Sequence, residues 1–141
     1  MKRALIGVLC GVSALALWGC ASSPVAYARD YPVEKPRVGS ADIQVLRDQT
    51  VITLTNTTAE SYGPFTLWLN RWFSRPVDGL AVGETITLSL KEFRDVTSEG
   101  FRAGGFFATK NPYPMVSADI ETETEVIERV GIAERRGPWR G

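Results

Sequence analysis

The aromatic stretch 65–73 holds the side chains with the clearest potential for binding a ligand. In an extended strand Trp68, Asn70 and Trp72 share one face, because successive side chains alternate. Two indole rings with an amide between them offer a flat apolar platform and hydrogen-bonding groups, which suits the faces of sugar rings. Arg71 adds a polar contact. The pattern predicts a glycan-binding platform, and a protein-contact surface or packing under a loop or a bulge remain open alternatives.

Three glutamates near the C-terminal third form the second candidate. Glu121, Glu123 and Glu125 alternate with threonines, so on one strand their carboxylates would line one face ~6.6–7 Å apart. Such oxygens can bind calcium, but no Asp-x-Asp-x-Asp-Gly loop accompanies them. A hairpin turn over 122–125, or a charged edge that deters strand pairing, is therefore preferred, and no metal site or cofactor is predicted.

The remaining composition argues against catalysis and against nucleic acid. The 141 residues include no histidine, which removes histidine bases, triads and metal ligands. The glycine-rich segment 100–105 lacks the Lys-Ser/Thr of a phosphate loop, and no serine lies in a Gly-x-Ser-x-Gly elbow. The 16 basic and 16 acidic residues balance to a net charge of +0. A non-catalytic protein that does not bind nucleic acid is the expectation.

The N-terminal residues have the layout of an export signal. Lys2 and Arg3 precede the apolar run 4–17, which is shorter than the ~20 residues needed to span a bilayer. The sequence Leu17-Trp18-Gly19-Cys20 then resembles a bacterial lipobox, with an aliphatic residue three positions before the cysteine and a glycine one before. Trp18 departs from the small or aliphatic residue usual at that position.

The resemblance to a lipobox implies where in the cell the protein is located. Residues 1–19 would be a lipoprotein signal peptide removed by signal peptidase II, and Cys20 would carry lipid that anchors the chain to a membrane. Ala21 rather than Asp follows the cysteine, which resembles the outer-membrane sorting signal of Gram-negative lipoproteins, with the protein facing the periplasm. Cleavage of an ordinary signal near Ala21 or Ala28, and an uncleaved anchor, are the alternatives.

A proline-containing tether and one β-domain are predicted to follow. Residues 20–41 include three prolines and no apolar period, which indicates a linker spanning ~25 Å as a coil. From residue 42 to 132 apolar residues alternate, and the pattern predicts about seven short antiparallel strands in an all-β, immunoglobulin-like sandwich, with an incomplete barrel as the alternative. The predicted strands lie near 43–45, 51–58, 65–69, 85–90, 106–109, 115–122 and 126–130. Residues 133–141 form a basic tail that is either frayed or in contact with anionic lipid or wall polymer.

The domain also resembles the small immunoglobulin-like modules of bacterial envelope proteins. The shared features are Asn56-Thr57 at a strand end and the turn Gly79-Leu80-Ala81-Val82-Gly83-Glu84 before a strand that leads to Phe93. Val82 replaces the usual proline. The resemblance covers about residues 43–122 and implies an immunoglobulin-like fold in an envelope setting, with no activity. Gly83 is expected to take a positive φ and close the turn before Thr85.

Together these patterns predict a membrane-anchored bacterial lipoprotein with a non-catalytic binding or structural role at the cell envelope. Protein interaction is the first hypothesis, because the anchor and tether accompany no catalytic groups. Binding of peptidoglycan or another envelope glycan through Trp68 and Trp72, with Asn70 and Arg71 as polar contacts, is the alternative.

Overall fold

The computed structural model describes residues 25–128 and 131–134, which contain nine short β-strands and one 3-10 turn. The strands are β1 (Arg37–Val38), β2 (Ile43–Asp48), β3 (Val51–Asn56), β4 (Phe65–Leu69), β5 (Phe73–Val77), β6 (Thr85–Ser89), β7 (Ala118–Glu121), β8 (Val126–Ile127) and β9 (Gly131–Glu134). The 3-10 turn is Leu90–Glu92. No helix in these residues is long and apolar enough to cross a bilayer.

The strands form two sheets, in agreement with the all-β prediction. The five-stranded sheet has the order β1-β8-β7-β4-β5, and the four-stranded sheet has the order β6-β3-β2-β9. The purely antiparallel arrangement predicted from the sequence is wrong at two places, because β1 pairs with β8 and β9 pairs with β2 in parallel. Both parallel pairs join segments far apart in the chain, which is the only way in which parallel neighbours can be connected.

The core lies between the inner faces of the two sheets. Ile52 and Leu54 of β3 are fully buried, and Thr53 between them is partly exposed, as the predicted alternation requires. Leu67 and Leu69 of β4 face them from the other sheet and are also fully buried. The core faces predicted from period-two alternation in these strands are therefore confirmed.

Two strand predictions are wrong. The segment 106–109, predicted as an aromatic strand, forms a turn in which Ala108 N–H donates to the carbonyl of Gly105 at 3.0 Å. Gly104 and Gly105 before it have φ values of +85° and +121°, which direct the chain out of the sheet. Conversely, β5 contains Pro76 and was not predicted, but proline is tolerated there because β5 is an edge strand.

Residues 25–38, here called the strap, lie along the outer face of the five-stranded sheet. The strap includes β1 at its end, and it runs from Val25, whose N–H donates to Ser98 at 3.1 Å, to Val38 beside Ile127. Most of the segment predicted as a free tether is therefore docked on the domain. The signal peptide 1–19, Cys20 and the end of the tail, 135–141, lie outside the described residues.

The predicted turn at Gly83 is confirmed. Gly83 has φ +73°, and its N–H donates to the carbonyl of Asn56 at 2.9 Å immediately before β6 begins at Thr85. The Asn56 side chain supports the same turn, since its amide donates to the carbonyls of Glu60 and Leu80 at 2.8 and 3.1 Å. These contacts explain locally why the Asn-Thr and Gly-Glu signals lie together.

Candidate functional site

The four predicted ligand-binding residues lie on β4 and in the turn that follows, but they do not form one exposed face. Trp68 is completely buried, whereas 59% of Trp72 is exposed. Asn70 and Arg71 both have positive φ, 54° and 56°, and close the turn between β4 and β5. The turn breaks the alternation on which a platform of two indoles depends.

Trp68 points to the outer face of its sheet and is covered by the strap. The edge of the Tyr31 ring packs on the indole with centroids 5.2 Å apart, and the guanidinium of Arg29 lies 5.2 Å from the indole centroid. The indole N–H donates to the Glu121 carboxylate at 2.8 Å. Trp68 is thus the centre of a second, smaller core that lies between the outer face of the sheet and the strap.

Ion pairs hold the strap over Trp68. Glu121 is 5% exposed and accepts from Arg29, and its other oxygen lies 2.8 Å from the Lys35 ammonium. Burial alone would raise the pKa of Glu121, but the hydrogen bonds from Arg29, Lys35 and Trp68 lower it below the ordinary value of 4.5. The buried carboxylate is therefore ionised at neutral pH and binds two cations of the strap.

A second carboxylate of β7 repeats this arrangement. Asp119 is 1% exposed and accepts from the Tyr31 hydroxyl at 3.0 Å and from Arg71 at 3.2 Å. Burial, together with the nearby negative charge of Asp119, raises the pKa of Tyr31 to about 12. Arg71 also donates to Glu128 at 3.0 Å. Arg71, predicted as a ligand contact, is thus engaged in the network that fixes the strap.

Asn70 has a structural role. Its side-chain amide donates to the carbonyl of Pro114 at 2.7 Å, and its oxygen accepts from the N–H of Val116 at 2.8 Å. Its own N–H donates to the carbonyl of Ser117 at 2.9 Å. These bonds tie the β4–β5 turn to the chain that enters β7, so the polar groups of Asn70 are already occupied.

Trp72 is the one predicted aromatic contact that remains accessible. A shallow groove beside it is lined by Tyr31, Val33 and Val96. Asp95, next to Val96, is 6% exposed and caps its own loop by accepting from the N–H groups of Thr97 and Glu99 at 2.9 and 2.8 Å. Burial would raise the pKa of Asp95, but these bonds and one from the Trp72 side chain lower it.

The three glutamates do not line one face. Residues 122–125 form the hairpin turn between β7 and β8, in which the N–H of Thr122 donates to the carbonyl of Glu125 at 2.9 Å. Glu121 points into the strap, whereas Glu123 is exposed on the turn. The preferred hairpin interpretation is confirmed, and no group of three metal-ligating side chains lies together within residues 25–128 and 131–134.

Two features that sequence reasoning missed are exposed on this domain. Phe106 and Phe107 are 95% and 91% exposed, and their rings contact each other at 5.0 Å. The Gly104-Gly105 pair was the available signal, since two consecutive glycines favour positive φ over a strand. The second feature is the edge of β6, which no other described strand pairs on its outer side.

Comparison of this chain with protein-family models, with curated proteins and with solved structures gives no match in any of the three.

Proposed function

We propose that this protein is a lipid-anchored, non-catalytic module of the bacterial cell envelope that binds a protein partner along the free edge of β6. The lipobox-like sequence ending at Cys20 supports the anchor. The open edge supports the binding mode, which is the addition of an extended segment of the partner as a further strand.

Three residues of β6 have backbone N–H and C=O groups that point away from the sheet. At the two ends of β6, Glu84 accepts a backbone hydrogen bond from the N–H of Asn56 at 3.0 Å, and the N–H of Leu90 donates to the carbonyl of Thr50 at 2.9 Å. Because residues on an antiparallel strand alternate in direction, the N–H and C=O groups of Thr85, Thr87 and Ser89 point outward. No described residue bonds these outward groups. The strand is also free of charge and proline, which are the usual protections of an edge.

One of the two edge strands of the other sheet, β5, is protected, and the contrast with β6 supports the proposal. On β5, the residues directed outward are Ser74 and Pro76. Ser74 N–H and C=O both bond to Arg94, at 2.8 and 3.0 Å, and Pro76 has no N–H to donate. Arg75 between them pairs with Glu92 at 2.7 Å. The protein therefore blocks one edge by three means and leaves the β6 edge open.

The alternative hypothesis, binding of an envelope glycan, is based on two exposed indoles on one strand face, and the structure does not have them. A sugar platform needs both indoles accessible, but Trp68 lies under Tyr31 and Arg29 and has no exposed surface. The polar groups of Asn70 and Arg71 are hydrogen-bonded to other residues of the protein. Trp72 alone offers one ring, which favours a protein partner over a glycan platform as the proposed ligand.

Site-specific photocrosslinking in cells tests the proposed edge. A benzoylphenylalanine placed at Thr85 of the full chain should give a discrete adduct, identifiable by mass spectrometry. The same probe at Thr53, in the centre of the sheet, should not. Substitution Thr87→Pro should abolish the adduct because it removes an outward N–H, and Thr87→Val should retain it because its N–H is kept.

Thr87 is exposed and both variants preserve the β3–β6 ladder, so they form a matched pair. Circular dichroism should confirm that both variants are folded. Equal adducts in the two variants, or the absence of any adduct at position 85, would contradict binding at the edge. An adduct consisting of a second copy of this chain would show self-association in place of a partner.

A further inference from the structure

Exposed apolar side chains are concentrated at one end of the two sheets. This end, here called the loop end, comprises the turn after β2, the turn after β4 and the segment 90–117. It carries five of the eight large apolar side chains that the described residues expose, namely Trp72, Val96, Phe106, Phe107 and Val116. At the opposite end the exposed large apolar side chains are Val82 and Val38, the latter beside Ala59. A concentration of this kind marks a contact surface.

The two phenylalanines stand at the corner of a tight turn. The hydrogen bond between Gly105 and Ala108 places Phe106 and Phe107 at the two central positions, from which both rings project outward. The glycines before them are required for this shape, because a Cβ on Gly104 would lie 3.1 Å from Pro112 and its φ is +85°. The loop is built so that two aromatic rings are exposed.

The base of this loop is fixed. Arg47, 8% exposed, donates from one guanidinium nitrogen to the carbonyl of Tyr113 at 2.7 Å and from the other to the carbonyl of Ala103 at 3.2 Å. Tyr113 N–H also donates to Arg102 at 2.9 Å, so the two stems are joined directly. The phenylalanine pair therefore projects from a supported platform.

The charge of the loop suits an anionic surface. The segment 102–117, from which the phenylalanines project, contains Arg102 and Lys110 and no acidic residue; the acidic residues of the loop end, Glu92, Asp95 and Glu99, precede it. Basic residues beside exposed aromatic side chains are typical of surfaces that enter the boundary between lipid headgroups and acyl chains.

The strap leads to the same end of the molecule. Val25 N–H donates to Ser98 and the Tyr27 hydroxyl donates to the carbonyl of Glu92, both in the loop end, and the Tyr27 carbonyl accepts from Ser74 at the adjacent end of β5. Because the strap is docked from Val25 onward, only the four residues 21–24 lie between Cys20 and the docked chain, and the five Cα–Cα steps reach at most about 18 Å. A lipid on Cys20 would hold the loop end close to the bilayer.

We propose that the loop end rests on the membrane to which Cys20 is anchored, with Phe106 and Phe107 inserted at the headgroup boundary. This inference rests on the proposed anchor. It leaves the β6 edge, at the side of the sheets, accessible to a partner.

The test uses the full chain, purified from cell membranes and reconstituted in vesicles of phosphatidylethanolamine and phosphatidylglycerol. An environment-sensitive fluorophore is attached at Thr109→Cys, beside the phenylalanines, or at Ala59→Cys, at the opposite end. Both positions are exposed. Spin-labelled lipid should quench the probe at 109 severalfold more strongly than the probe at 59, and Phe106→Ser with Phe107→Ser should remove the difference. Thermal melting should show that the double variant is folded, since both rings are exposed.

The fraction of protein that floats with the vesicles separates the two proposals. If the protein floats and both probes are quenched equally or not at all, the loop end does not touch lipid and this inference is overturned while the anchor stands. If mass spectrometry of the purified chain finds no lipid on Cys20, the anchor itself is contradicted, and the inference falls with it.

Discussion

At the scale of single residues, Glu121 is the side chain on which the strap depends. Substitution Glu121→Gln should lower the free energy of unfolding by about 1–2 kcal/mol, because it removes the charge that pairs with Arg29 and Lys35. Partial solvation of those two cations keeps the loss below that of a fully buried pair. The matched substitution Glu123→Gln, on the exposed turn of the same hairpin, should change stability by less than about 0.5 kcal/mol. Urea unfolding measures both, and equal losses would contradict the assigned role.

The pH dependence of stability tests the same carboxylate. Because the pKa of Glu121 is lower in the folded state than its ordinary 4.5, folding favours the ionised form. The contribution is fully present above pH 4.5 and is lost as the pH falls through the folded pKa. Urea unfolding between pH 6 and 3 should therefore show a shallower acid loss for Glu121→Gln than for the wild type. Asp95, whose pKa is also lowered, is common to both chains, so identical slopes would refute the ionised pair.

The burial of Trp68 shows what residue patterns leave undetermined. Alternation correctly placed Leu67 and Leu69 in the core and Trp68 on the other face. Whether that face is open depends on Tyr31 and Arg29, more than thirty residues earlier, and alternation within β4 carries no information about them. The prolines of the strap indicate an irregular segment correctly, but they do not tell whether the segment is docked.

At the scale of elements, the turn before β6 depends on one backbone conformation. Gly83 and Gly63 both have open space where a Cβ would lie, but only Gly83 has a positive φ, +73°. Gly83→Ala should therefore destabilise the domain by about 1 kcal/mol, and Gly63→Ala should have little effect. Thermal unfolding of the two variants makes the comparison. A Gly83→Ala chain as stable as Gly63→Ala would contradict the strained turn.

The strands that were predicted and those that were missed differ in physical terms. β3 alternates clearly because one face packs on the core, whereas in β4 Trp68 is buried on the opposite face as well. β5 does not show the apolar alternation, because an edge strand tolerates Arg75 and Pro76. β1 and β8 have two residues each, which is too short for any periodicity to be detected. At Phe106 and Phe107 the β-propensity of the aromatic pair pointed to a strand, whereas two glycines of positive φ turned the chain outward.

At the scale of the whole molecule, the strap determines what the protein can present. It covers the indole of Trp68, leaves only four residues between Cys20 and the docked chain, and leaves β6 and the loop end exposed. The central claim is therefore that residues 25–38 belong to the folded domain.

Acrylamide quenching of tryptophan fluorescence tests that claim most directly. In the full chain, replacing Trp18, Trp72 and Trp139 by phenylalanine leaves Trp68 as the sole indole. A companion variant, in which Trp18, Trp68 and Trp139 are replaced by phenylalanine, keeps Trp72 as the sole indole. We expect a blue-shifted emission for Trp68 and a quenching constant severalfold below that of Trp72, because Tyr31 and Arg29 exclude the quencher. Equal quenching of the two indoles would show that the strap does not cover Trp68 and that residues 25–38 are not part of the folded domain.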